Sequence, residues 1–137
     1  MITQTQTTSF KAELYKGVHN FLTDIIYIAL YTSNASLDQT TTTYTHTGEV
    51  VATGYTAGGK LLTGVTVNSS GSTAYVSFNN PSWSAALTAR GALIYNVSKG
   101  NKAIAVLDFG ADKTSTTTFT IALPANTADS ALIRSSN

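Results

Sequence analysis

The chain has 137 residues, no cysteine, and a formal net charge of +1 from eight Lys/Arg and seven Asp/Glu. That length suits one domain with a core of its own. The missing cysteine excludes disulfide scaffolds and thiolate metal sites, and near-neutrality leaves no electrostatic footprint for a nucleic-acid backbone. Charged residues make up 11% of the chain, against about 25% in an average domain. The polar surface comes instead from 24 Thr and 14 Ser. Thr is β-branched and fits a pleated face, so the composition points to β structure.

Residues 1–9 (MITQTQTTS) read as a polar N-terminal arm with nothing to bury. They lack the apolar core of a secretory signal, and no stretch reaches the roughly 20 apolar residues of a membrane helix. The expectation is a chain made in the cytoplasm, not exported by the usual route, with no membrane partner. Phe10, Leu14, Val18 and Phe21 then recur at helical spacing. Ser9 is the expected N-cap, and the helix is predicted over 9–16, weakened at Gly17.

Residues 24–32 (DIIYIALYT) are apolar on both alternating faces, the pattern of a strand buried on both sides. Residues 33–48 are rich in Thr, Ser and Asn and lack a period. They read as a long surface loop or extended arm, of a length that is often functional or bound to a partner. Strands are predicted at 60–67 and 73–78, with Asn68–Gly71 as the turn between them. A further strand, or two split near Gly91, is predicted within 84–97, and others at 102–109, 116–123 and 130–134. Lys99-Gly100-Asn101 reads as a hairpin turn, and Gly110–Thr114 as the next turn. The tail ends in Ser135-Ser136-Asn137.

One short helix and about six to eight strands, spaced by turns, predict a mainly β chain folded as an antiparallel, jelly-roll-like β-sandwich over 10–137. The expected core is Ile26, Ile28, Leu30, Val76, Phe78, Leu93, Ile104, Val106, Phe119, Ile121 and Leu123.

The chemistry-bearing residues form no strong motif. Gly54–Lys60 matches the first seven positions of a phosphate-binding loop, but Leu61 stands where the magnesium-binding hydroxyl belongs and a strand follows instead of a helix. Gly58 and Gly59 are read as turn residues and Lys60 as a surface residue. His19 and His46 could join Asp24 or Glu49 in a zinc set. The plainer reading puts His19 at the helix end and leaves His46 solvated. No nucleophile elbow accompanies the many serines. Asp108 is expected to pair with Arg90 or Lys102 across strands. Three Asn-x-Ser patterns, at Asn34, Asn68 and Asn96, are expected by chance in so Ser-rich a chain. No catalytic residue, cofactor or metal is predicted. Tyr44, His46, Tyr55 and Trp83 are the candidate interface, because loop aromatics offer a large ring with a polar tip.

Six blocks carry a resemblance: FKAELYKGVHNF (10–21), IALYTSNASL (28–37), TTTYTHTGEV (41–50), GYTAGGKLL (54–62), ARGALIYN (89–96) and NKAIAVLDFG (101–110). Together they resemble small virion structural proteins of tailed bacteriophages. The resemblance implies a β-rich, non-enzymatic virion component, assembled in the host bacterial cytoplasm. It leaves open the capsid surface, the neck and the tail. The function expected is a decoration or cement protein that binds and stabilises the head shell, with the major capsid protein or another virion protein as partner. Low charge and long polar segments add the expectation of a homo-oligomer. The alternatives are a neck or tail component, a carbohydrate-binding sandwich using Trp83 and the loop tyrosines as platforms, and, last, a small hydrolase.

Overall fold

A computed structural model describes residues 1–136; Asn137, the last residue of the predicted tail, lies outside them. The elements in chain order are β1 (Thr5–Gln6), α1 (Thr8–Tyr15), β2 (Ile26–Tyr31), β3 (Lys60–Leu61), β4 (Thr66–Ser70), β5 (Thr73–Ser77), β6 (Ser82–Trp83), β7 (Thr88–Asn96), a 3₁₀ turn (Val97–Lys99), β8 (Lys102–Thr114), β9 (Phe119–Thr120) and β10 (Ile133–Ser135). The fold is mainly β, and every strand pair is antiparallel.

β2, β7 and β8 form the middle of a five-stranded sheet of order β1-β8-β7-β2-β3. Its two faces follow from the alternation in β2. Ile26, Ile28 and Leu30 join Ala92, Ile94, Ile104 and Leu107 on the first face. Ala29 and Tyr31 join Leu93, Tyr95, Ala103 and Val106 on the second. The first face packs on Val76 and Ile133 of the three-stranded β10-β5-β4 sheet, making the sandwich, and on Phe78 just past β5, Phe10, Trp83 and Phe119. All the expected core residues are buried except Leu123, which is half-buried. A bulge in β8 explains why Ile104 and Ala105 share a face: Ile94 pairs with Ala105 and Tyr95 with Ala103, leaving Ile104 over.

The second face corrects the reading of the arm. Residues 1–9 are docked, not free. Ile2 is 5% exposed and Thr7 fully buried. β1 pairs with Val106 and Ala105, and the Thr3 N–H donates to Leu37 O at 2.9 Å. Ile2, Ala35, Leu37 and Tyr44 together cover the second face, so the arm and the 33–48 loop serve as its lid. A polar sequence conceals this because the arm is held by backbone bonds and by polar side chains, Gln4, Gln6 and Thr7, with Ile2 the one apolar anchor after Met1. The helix starts one residue early for the same reason. Thr7, not Ser9, is the N-cap and accepts from the Phe10 N–H at 3.2 Å.

Three boundaries also differ. The predicted 60–67 strand is two short strands interrupted at Gly64, whose φ is +65°. The predicted turn at 68–71 is mostly strand, and the chain reverses at Gly71-Ser72. The expected turn at 110–114 is a bulge instead. Residues 109–112 loop out opposite Arg90 between the Gly91–Asp108 and Ala89–Lys113 pairs, after which β8 resumes. The predicted 116–123 strand shrinks to β9.

Candidate functional site

The end of β2 holds a dense polar constellation. The 33–48 loop returns beside β2, where the Thr32 N–H donates to Gly48 O at 2.8 Å and the Val50 N–H to Leu30 O at 3.0 Å. Glu49 lies opposite Tyr31, and its side chain is fully buried. Burying a carboxylate costs several kcal/mol unless donors replace its water, and here four do. Tyr44 Oη donates to Oε1 at 2.5 Å and His46 Nδ1 to the same oxygen at 2.8 Å. Tyr55 Oη donates to Oε2 at 2.5 Å and the Gly58 N–H at 2.7 Å.

Further bonds tie this hub to the sheet. The Leu30 N–H donates to Tyr55 Oη at 2.9 Å, Tyr31 Oη donates to Thr45 O at 2.5 Å, and Tyr95 Oη donates to Gly58 O. Tyr44 stacks on Tyr95 with ring centroids 4.8 Å apart. Burial, reinforced by the Glu49 charge, pushes the Tyr31, Tyr44 and Tyr55 hydroxyls above the usual tyrosine range and Tyr95 to about 12. All four therefore stay protonated as donors. Gly59 closes the hub. Its φ is +82°, and a Cβ there would lie 1.8 Å from Ile28 O. Only glycine lets the chain pass this close before turning into β3.

A second polar network joins α1 to the end of β7. His19 Nε2 lies 2.8 Å from Glu13 Oε1. Asn96 Nδ2 lies 2.9 Å from His19 Nδ1 and donates to Asp24 Oδ2 at 2.8 Å. Lys99 Nζ donates to Asp24 Oδ1 at 3.1 Å. The Asp24 carboxylate can only accept, so the Asn96 amide must face it with its NH₂ end. That fixes the His19 tautomer, with Nδ1 accepting and Nε2–H donating to Glu13. Burial would raise the Asp24 carboxyl. The bonds from the Asn20 N–H, Asn96 and Lys99 outweigh this and hold it below the usual carboxylate range.

The structure thus sorts the predicted residues. Tyr44, His46 and Tyr55 do meet, but around Glu49 and inside one chain. Tyr55 and Trp83 are 8% and 5% exposed, which corrects their reading as contact residues. Tyr55 and Trp83 therefore present no open ring face, while Tyr44 is half-buried and stacked on Tyr95. His46 alone of the four is well exposed, with 64% of its side chain open. The zinc set is dispersed: His19 and Asp24 belong to the α1–β7 network, and His46 and Glu49 to the hub. Among the described residues no three His, Asp or Glu side chains gather as metal ligands. Arg90 Nε pairs with Asp108 Oδ1 at 3.1 Å, as expected of that aspartate. Lys60 is not a free surface residue. Its Nζ donates to Ser82 O and lies 5.4 Å from the Trp83 ring centroid.

Sequence reasoning gave Glu49 only a marginal part in a zinc set. The available signal was three potential donors, Tyr44, His46 and Tyr55, within six residues of one glutamate in a segment otherwise short of charge. A groove of about 480 Å³ also opens between β8 and residues 118–124, floored by Phe109, Phe119 and Ile121 and flanked by Asp108 and Lys113. No helix among the described residues is long and apolar enough to cross a membrane. Compared with family models, curated proteins and solved structures, the chain matches none.

Proposed function

We propose that this chain is a non-enzymatic structural protein of a tailed-phage virion, specifically a decoration or cement protein that binds the head shell. The observation that carries the reading is where the resembling blocks meet in space. Blocks 28–37, 41–50, 54–62 and 89–96 converge on the Glu49 hub through Leu30, Tyr44, His46, Tyr55, Gly58 and Tyr95. Block 10–21 meets Asn96 at the second network through Glu13 and His19. The residues behind the resemblance are therefore the ones that fasten loops to a sheet.

The chemistry supports the same reading. A carboxylate has about four lone-pair positions for hydrogen bonds, and those of Glu49 accept from its own chain. Such a group holds a loop in place and has no capacity left for a substrate proton. A shell component benefits from loops locked without disulfides, since it is made in a reducing cytoplasm.

Quantitative mass spectrometry of purified virions tests the proposal. The expected result is this chain in a copy number that matches the capsid lattice. A copy number matching a single ring would move it to the neck or tail, and its absence from virions would overturn the reading.

A further inference from the structure

Lys60 and Arg90 bound a stretch, residues 61–89, without a single Asp, Glu, Lys, Arg or His. It contains the β4–β5 hairpin. β4 is the outer strand of the three-stranded sheet, and all five of its residues are exposed. Gly71, with φ +59°, takes the first central position of the two-residue turn that joins Ser70 to Thr73. Glycine there marks a type II′ hairpin, in which the flanking Ser70 and Thr73 are a hydrogen-bonded pair. By alternation Asn68 and Thr66 also bond inward to β5. The N–H and C=O groups of Val67 and Ser69 point away from the sheet, and no described residue bonds them. Val67 lies directly opposite Val76, so its side chain is on the core-facing side. Yet it is 50% exposed, because no strand lies beyond it.

The outer edge of β8 is built differently. Past β1, the Asp108 N–H donates to Gln4 Oε1 at 3.2 Å and the Gly110 N–H to Asp108 Oδ1 at 2.9 Å. The bulge at 109–112 then bends the strand, and Asp112 and Lys113 charge it. Charges, bulges and side-chain caps are the devices that stop strand addition. β4 has no charge, proline or bulge.

We infer that β4 is a strand-addition edge whose occupant is the same edge of a second copy, paired antiparallel about a two-fold axis. Self-pairing suits this strand because it sets neutral residues against neutral ones. A charged edge would meet its own charge across the axis, and a charged foreign partner would find no counter-charge anywhere in 61–89. In the register centred on Asn68, Val67 of one copy faces Ser69 of the other, so each open N–H finds an open C=O. The two three-stranded sheets become one continuous sheet, and the exposed flank of Val67 is covered. The docked N-terminal arm has no part in this contact.

Sedimentation velocity of the full chain over a concentration series tests the inference. The expected result is a mass that rises from monomer to dimer. Ser69→Pro removes an outward N–H and leaves the β4–β5 ladder bonds in place, so it is expected to raise the dimer dissociation constant at least about tenfold. Its circular dichroism spectrum should match that of the parent. If Ser69→Pro does not fold, Val67→Lys applies the same test by charging the shared edge, with the same expected weakening. A parent chain that stays monomeric throughout, or variants that associate as well as the parent, would overturn the inference. Neither result bears on whether the chain is found in virions.

Discussion

On the five-stranded sheet the polar groups turn inward. Glu49 takes four bonds from its own chain, and Gln4 and Asp108 cap the outer edge of β8. On the three-stranded sheet β4 presents open backbone groups and an exposed Val67 from a stretch with no charge. The first region reads as complete by itself; the second has unmet bonding capacity. Charge is placed where a strand edge must be closed or a loop held, and omitted where an edge is left open. The difference teaches that low overall charge in this chain is unevenly distributed, and that its distribution separates a region closed by its own bonds from one whose strand edge stays open.

Substitutions in the two regions should therefore behave differently. The largest effect is expected at Gly59. Gly59→Ala drives a Cβ to 1.8 Å from Ile28 O, so β3 must leave β2, at a cost above about 4 kcal/mol in chemical denaturation. Glu49→Gln keeps the shape of the hub but sets an NH₂ group against donors. The remaining oxygen can still accept from the Gly58 N–H and Tyr55, but the NH₂ then faces Tyr44 and His46, and every bond loses the charge that strengthened it, so a loss of about 1.5–3 kcal/mol is expected.

The tyrosines add a pH dependence whose sign follows from their raised values. Below about pH 10, the ordinary tyrosine value, both native and unfolded chains are protonated there and the contribution is fully present. As pH rises further the unfolded chain releases phenolic protons that the native hub retains, so stability falls from about 10 through the Tyr95 value near 12. Thermal unfolding midpoints measured across that range should decline, more steeply than in a Tyr55→Phe variant.

Lys60→Ala loses the bond to Ser82 O and the approach to the Trp83 ring, and is expected to cost about 1 kcal/mol in the same denaturation experiment. The smallest effect belongs to the open region. Asn68→Ala on exposed β4 should change monomer stability by no more than about 0.5 kcal/mol. A large loss there would mean that β4 is as interlocked as the hub and would erase the contrast.

The strand content, the two-sided burial of β2, the turn at Gly100 and nearly all of the core were legible in the sequence. Side-chain alternation and positive-φ residues are local properties of the chain, readable wherever a pattern repeats over several residues. The bulge at Gly110 shows the limit of that legibility. The local signal marked a real change of direction, but only the pairing of Lys113 with Ala89 decides that the strand resumes. The arm and the Glu49 hub were decided by tertiary structure alone. Backbone bonds carry no side-chain signature, so nothing in MITQTQTTS announces that Thr5 will pair with Val106. A buried glutamate and an exposed one look the same in sequence. What separates them is whether Tyr44, His46, Tyr55 and the Gly58 N–H arrive together around the carboxylate, and that depends on a loop being laid across the end of β2.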